Sequence, residues 1–358
     1  MLGSIARLGL PWLQWPVLVN APMSGVAGSR LAVAVTCAGG LGQIGFTGDA
    51  DAFDEELATA KLQLQNRKLK NQTCDDHILP IGAGIIVFGT PIEEFIPVIA
   101  KHTPAVVWLS FATAVEFQRW TTRIRQASPL TKVWIQVGSA TAALEAAHHC
   151  RPDALVLQGS DAGGHGHESG ASIIPLIPEV TDVLHNEGLV DIPLIAAGGI
   201  MDGRGTAAAL ALGALGVVMG TRFLGAEEAK VPPEFRKAIF ESWDGAESTA
   251  RSTAFDAMWG PNPWPELYNG RCLKNLIYEN VKDGLSEEAA RIQLHHYLRS
   301  RSLQDIPAKD MMSIWAGTGV GLVREIEKAA DIVDGVRNSA QKTIMTLSKT
   351  MTEAIGCN

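Results

Sequence analysis

The chain has 358 residues, 46% hydrophobic and 19% charged, with a formal net charge of −8. That composition describes a globular protein with a large core, and the acidic balance excludes nucleic acid as a main partner, because neutralising phosphates needs a basic surface. No apolar run reaches membrane-spanning length, no charged segment followed by an apolar stretch marks a signal peptide, and five scattered cysteines without a C-x-x-C pair suit reduced thiols in a cytoplasmic protein. The basic stretch 67–70 reads as a solvated helix end, and the sequon Asn71-Gln72-Thr73 as chance.

In chain order, short apolar runs fall at 17–19, 41–44, 81–87, 105–109, 133–137, 154–157, 193–197 and 216–219. They are continuous rather than alternating, as in parallel strands buried on both faces. Helical stretches separate most of them, at 29–37, 52–68, 92–101, 114–126, 141–149, 174–187 and 204–212. Eight such units predict an α/β fold, a (β/α)8 TIM barrel, over residues 1–225. An open doubly wound sheet is the rival, but its G-x-G-x-x-G marker is missing after the first strand, which ends in Asn20-Ala21-Pro22-Met23. Beyond 225 the pattern changes. Pro232-Pro233 interrupts the chain, the run from Trp259 to Pro265 is a rigid aromatic loop, and helices are expected at 286–301 and 321–354. Residues 226–358 therefore read as a C-terminal helical addition packed on the barrel, its last helices candidates to complete the ring, placed to cover the site or to form a homodimer contact.

Three glycine-rich segments follow strands. The first, after Gln158, reads Gly159-Ser160-Asp161-Ala162-Gly163-Gly164-His165-Gly166-His167. Glycines let the backbone approach a ligand, and polar side chains at a strand end are where barrels place their chemistry. The second contains Gly198-Gly199 and the third Met219-Gly220-Thr221-Arg222. They follow the seventh and eighth strands, where backbone N–H groups and a threonine hydroxyl can hold a phosphate. The competing reading is that these glycines only make tight turns.

These segments, with Ala21-Pro22-Met23 and the late run Trp315-Ala316-Gly317, resemble the nitronate monooxygenases (2-nitropropane dioxygenases), over nearly the whole chain, and the tail is closer to fungal members. The resemblance implies a barrel that binds FMN non-covalently and oxidises alkyl nitronates or nitroalkanes with O2 to carbonyl compounds and nitrite. It implies that Ala21, Pro22 and Met23 lie against the flavin ring and that Gln158 hydrogen-bonds the cofactor. Gly163, Gly164, Gly198, Gly199, Gly220 and Thr221 would surround the ribityl phosphate. His165 would face the substrate, and Gln136, at the end of the fifth strand, would join the pocket. Bacterial members carry an asparagine after the third-strand glycine, and Gly82-Ala83-Gly84 lacks it.

A neutral imidazole at His165 suits removal of the proton beside a nitro group. If the substrate arrives as the nitronate, the same ring would donate a hydrogen bond instead. His167 is a second candidate for either role, and Asp161 either anchors the loop or orients a ribityl hydroxyl. Arg204, His148, His149, His295 and His296 read as structural, and no metal-ligand spacing occurs. Two alternatives stand beside this reading: an FMN-dependent NAD(P)H reductase of the enoyl-ACP reductase type, and a non-catalytic barrel that merely binds flavin or phosphate.

Overall fold

The computed structural model describes residues 6–65, 67–70, 77–302 and 305–355; the sequon at 71–73, Cys74 and Cys357 lie outside them. Six strands open the fold: β1 (Val17–Asn20), β2 (Gln43–Ile44), β3 (Leu79–Ile86), β4 (Pro104–Ser110), β5 (Lys132–Val137) and β6 (Ala154–Gln158). A short strand, β7 (Gly164–His167), leaves the barrel, and β8 (Leu194–Ala197) and β9 (Gly216–Met219) complete it. The parallel order around the sheet is β1-β9-β8-β6-β5-β4-β3-β2. The two ends meet through a bridge between Val19 and Leu41. Asn20 then does the work of a missing strand residue: its amide accepts from the Gln43 N–H at 2.9 Å and donates to the Gln43 carbonyl at 2.8 Å. The sheet is a nearly closed barrel, and the doubly wound alternative falls.

Strand side chains alternate in direction. Val107, Leu109, Ile135, Leu155 and Val217 point outward into the helices. Val19, Val106, Trp108, Trp134, Val156, Ile195 and Val218 point into the bore. Both faces are buried, which is why the strands read as unbroken apolar runs. Trp108 and Trp134 fill the bore with ring centroids 6.5 Å apart. Gly82 has no Cβ because the Gln43 amide occupies that space.

Seven helices lie on the outside: α1 (Ser29–Cys37), α2 (Ala50–Leu64), α3 (Ile92–His102), α4 (Ala114–Ala127), α5 (Ala140–Cys150), α6 (Ile173–Asn186) and α7 (Gly203–Ala211). Side-chain caps start four of them: Asp49 for α2, the Thr113/Glu116 box for α4, Ser139 for α5 and Asp202 for α7. The ranges follow the hydrophobic pattern closely, except that α2 stops at Leu64, so the basic stretch 67–70 lies beyond the helix and Lys70 pairs with Asp334 at 2.6 Å.

The tail is not purely helical. It contributes α8 (Pro233–Glu241), two strands, β10 (Thr249–Ser252) and β11 (Tyr268–Leu273), and then α9 (Leu276–Lys282), α10 (Glu287–Arg299) and α11 (Ala329–Ile355). β10 and β11 join β7 in an antiparallel sheet that pairs Gly270 with His165. Neither β7 nor β11 carries a strand-like run, because the pairing that forms them spans about a hundred residues of chain. The last helix begins at Ala329, not at 321; the glycine-rich segment before it forms only a 3-10 turn. α11 packs across both α7 and α1. Buried Arg337 donates to the carbonyls of Ala38 and Gly39 at 3.1 and 3.0 Å, satisfying the C-terminal end of α1.

Candidate active site

His165 sits on β7, above the mouth of the barrel. Its Nε2 lies 2.7 Å from Oδ1 of Asp256, a tail residue just after β10. The pair is nearly dry, with side chains 12% and 6% exposed. The imidazole stacks flat on Trp264, at 3.5 Å and 10°, with Trp315 at 4.7 Å on a tilted plane. A carboxylate on Nε2 holds the proton at that atom, which leaves the Nδ1 lone pair as the basic site. The other oxygen of Asp256 is buried without a partner. His167, two residues along the strand, has no carboxylate; its Nδ1 is buried and unpartnered.

Gln158 closes β6 with its amide turned up to this strand. Its Nε2 donates to the His165 carbonyl at 2.9 Å, and its Oε1 accepts from Gln136 Nε2 at 3.1 Å. The two glutamines expected in the pocket are therefore neighbours, and they fix the backbone that carries the imidazole.

The glycine segments converge on the late segment 316–319. Gly163 lies so close to it that an added Cβ would come within 2.5 Å of the Ala316 carbonyl carbon. The Gly317 N–H donates to Thr221 Oγ1 at 2.9 Å. Asp161 is an anchor: its carbonyl accepts from the Thr318 N–H and its carboxylate from the Thr318 hydroxyl, both at 3.0 Å. Gly164, Gly198 and Gly199 have φ of 72°, 111° and 72°, conformations that L side chains avoid. The backbone N–H groups of Gly163, Gly198, Gly199 and Gly220 donate to no protein acceptor among the described residues. Unpaired donors at one rim are free to bond a ligand acceptor. Ala21 meets Gly220, and Pro22 packs where Gly84 lacks a side chain, 2.5 Å from the position of a Cβ.

Two half-buried arginines lie behind this loop. Arg271 donates to the Ser160 carbonyl at 3.1 Å. Arg251 donates to the Asn269 carbonyl at 2.8 Å and to its side-chain oxygen at 3.0 Å. Burial, then repulsion from Arg271, pulls the Arg251 guanidinium down to about 10, against the attraction of Asp161. Both remain cations at neutral pH, and neither forms a carboxylate ion pair among the described residues. Asp161 of the loop between β6 and β7 attracts both guanidiniums, so their charge is partly balanced by its carboxylate.

The chain is similar to known proteins over nearly its whole length. The family model for nitronate monooxygenase matches residues 11–338. The nitronate monooxygenase npaC of Metarhizium robertsii is 38% identical over 343 residues, 94% of each chain. A nitronate monooxygenase of Neurospora crassa is 32% identical over 354 residues, 93% of this chain and 91% of the other. The chain belongs to the nitronate monooxygenase family. Both relatives are fungal, as the tail segment suggested. Among solved structures, FabK of Thermotoga maritima superposes with a TM-score of 0.72 at 26% identity, over 96% of this chain and 98% of its own. Membership makes the chain an enzyme, a flavin-dependent monooxygenase of the family that oxidises nitronates.

Within this nitronate monooxygenase fold, sequence reasoning missed Asp256, Arg251 and Arg271, and it read Trp264 only as part of a rigid loop. No local pattern marks them, since each acts on a loop 89 to 111 residues upstream. The residues set aside stay structural: Arg204 pairs with Asp202 at 2.6 Å, His148 faces Glu187 at 3.5 Å, and His295 bonds the Met258 carbonyl. Among the described residues, no helix is long and apolar enough to cross a membrane.

Proposed function

We propose that the chain binds FMN and oxidises alkyl nitronates and their parent nitroalkanes with O2, releasing a carbonyl compound and nitrite. The His165–Asp256 pair carries this reading. A nitroalkane must lose the proton on the carbon beside its nitro group, and Nδ1 of His165 would accept it while Asp256 holds Nε2–H and stabilises the imidazolium. Trp264 and Trp315 keep the ring in one plane and exclude water. The unpaired amides of Gly163, Gly198, Gly199 and Gly220 would hold the FMN phosphate with the Thr221 hydroxyl, and Ala21–Met23 would support the ring. The bound flavin supplies the redox chemistry. Cys37, Cys150 and Cys272 are free thiols, which suits the cytoplasmic location we assign.

The test compares His165→Asn with the parent on neutral nitroethane and on preformed ethyl nitronate. The variant should lose most turnover of the neutral acid, by about 10²–10⁴, and keep most turnover of the nitronate. Equal loss on both leaves His165 a binding role only. The resemblance to FabK keeps a reductase reading in view, and rapid anaerobic bleaching of the flavin by NADH or NADPH, without nitronate, would favour it.

A further inference from the structure

The segment between β10 and β11 is tied down at its two ends and hardly at all between them. On one side His295 of α10 donates to the Met258 carbonyl at 3.1 Å, and the Ser313 hydroxyl donates to the Phe255 carbonyl at 3.0 Å. On the other, the Glu168 N–H donates to the Leu267 carbonyl at 3.0 Å, where β11 takes up its pairing with β7. From Trp259 to Trp264 the one hydrogen bond among the described residues is internal, from the Trp264 N–H to Oδ1 of Asn262 at 2.9 Å. Pro261, Pro263 and Pro265 lie exposed along this strap, and their fixed φ angles keep it stiff. Gly260, just ahead of them, has open space on its Cβ side. A stiff run beside an unhindered glycine is built to move as one piece.

Two indoles hold the strap, each on a histidine. Trp259, 60% exposed, lies tilted on His295 at 5.2 Å. Trp264 turns inward and lies flat on His165 at 3.5 Å, boxed by Phe88 and Phe111 at 4.8 and 5.0 Å. Phe88 follows β3 and Phe111 follows β4, so the box belongs to the barrel mouth. Phe111 holds φ of +58° as it presents its ring, a left-handed conformation that a bulky residue keeps only where its surroundings impose it. Ring contacts can part without leaving a buried donor or acceptor unsatisfied. The strap can therefore leave the imidazole at little polar cost and return to a box shaped for one indole. Trp315, the other ring beside His165, is fixed by contrast: it bridges to Cys272, and a Cβ added at Gly270 would come within 2.3 Å of it.

We propose that residues 259–264 are a gate on His165: Trp264 lifts off the imidazole to admit a ligand and falls back to shut the site behind it, against Trp315 as the fixed jaw. The closed position is the one described above, with the indole covering one face of the ring. Closure keeps water from the imidazole while a proton moves. The gate concerns access to His165 and holds whether or not the ligand is a nitronate.

The experiment treats the purified protein with diethyl pyrocarbonate, which carbethoxylates an unprotonated imidazole nitrogen, and follows each histidine by peptide mass. Exposed His148 reports the reagent, and buried His102, which stays unlabelled while the fold is intact, reports unfolding. Three ring contacts close the gate, so in the parent His165 should label to completion but at least about tenfold more slowly than His148. Trp264→Ala should raise the His165 rate by at least about tenfold. Two further variants leave Trp264 and His165 in place. Trp259→Ala frees the outer anchor and should raise the His165 rate by about threefold or more. Pro261→Gly combined with Pro263→Gly slackens the strap and should do the same, by about threefold. His148 and His102 should not respond to any of them. A His165 that stays unlabelled in the parent, or a rate that rises with Trp264→Ala but with neither strap variant, makes Trp264 a fixed wall and overturns the gate. Labelling of the parent as fast as at His148 overturns it too, since the indole would then not cover the ring. If Trp264→Ala fails to fold, Trp259→Ala, a change at an exposed side chain, decides alone.

Discussion

Asp256→Asn is the sharpest probe of the site. Asparagine keeps the shape and can still accept from Nε2–H through its side-chain oxygen, so the imidazole stays in place; only the charge is lost. The bond is 2.7 Å long and almost fully buried, so water does not screen it. A hydrogen bond to a charged group contributes about 1.5–3 kcal/mol, and about 1.4 kcal/mol is a factor of ten. The imidazolium gains that support only after it has taken the substrate proton. The variant should therefore lose about 10–100-fold in kcat/KM on neutral nitroethane. Preformed ethyl nitronate needs no proton removed and should react within about threefold of the parent, a change too small for any lost charged hydrogen bond. The assay is oxygen uptake with each substrate, at equal flavin content. An equal loss on both substrates would refute the reasoning, since Asp256 would then only shape the pocket. No loss on either would show that the carboxylate does not act on the imidazole at all.

The other predictions concern the glycine rim, the barrel seam and the thiols. Gly199→Val places a branched side chain at φ +72°, with its Cβ 3.0 Å from that of Asp161, so the purified variant should carry much less flavin per protein by absorbance. Wild-type flavin content in that variant would remove the rim from the cofactor site. Asn20→Ala deletes both bonds that stitch β1 to β2 and orphans two buried Gln43 backbone groups, a loss of about 2–4 kcal/mol in urea unfolding. A loss below about 0.5 kcal/mol would mean the seam does not need the side chain. Burial raises the Cys272 thiol far above its ordinary value, so its thiolate is scarce at pH 8 and iodoacetamide should label it only after denaturation. Labelling of the native protein at that residue, read by peptide mass, would contradict its burial.

The barrel was legible in the chain because it is built from local patterns. Each strand shows as an apolar run, since both its faces are covered, and each helix as a 3.6-residue stripe. The glycines at 163, 198 and 199 were equally legible, because close approach at Gly163 and positive φ at Gly198 and Gly199 demand glycine there; Gly220 meets neither demand. The imidazole stood out as a histidine amid glycines, though nothing nearby said what would hold it. Asp256, Trp264, Arg251 and Arg271 lie in a segment whose order is set by pairing β11 to β7, a contact with no local periodicity. Only folding brings that segment over the barrel mouth, and only there do an acid and a ring about ninety residues apart become one buried pair. Local sequence determined the scaffold and the glycine rim, because helix and strand energetics act over a few residues. The tertiary structure decided which nitrogen of His165 is left basic and what lies beside it, because hydrogen bonds and burial depend on distance in space.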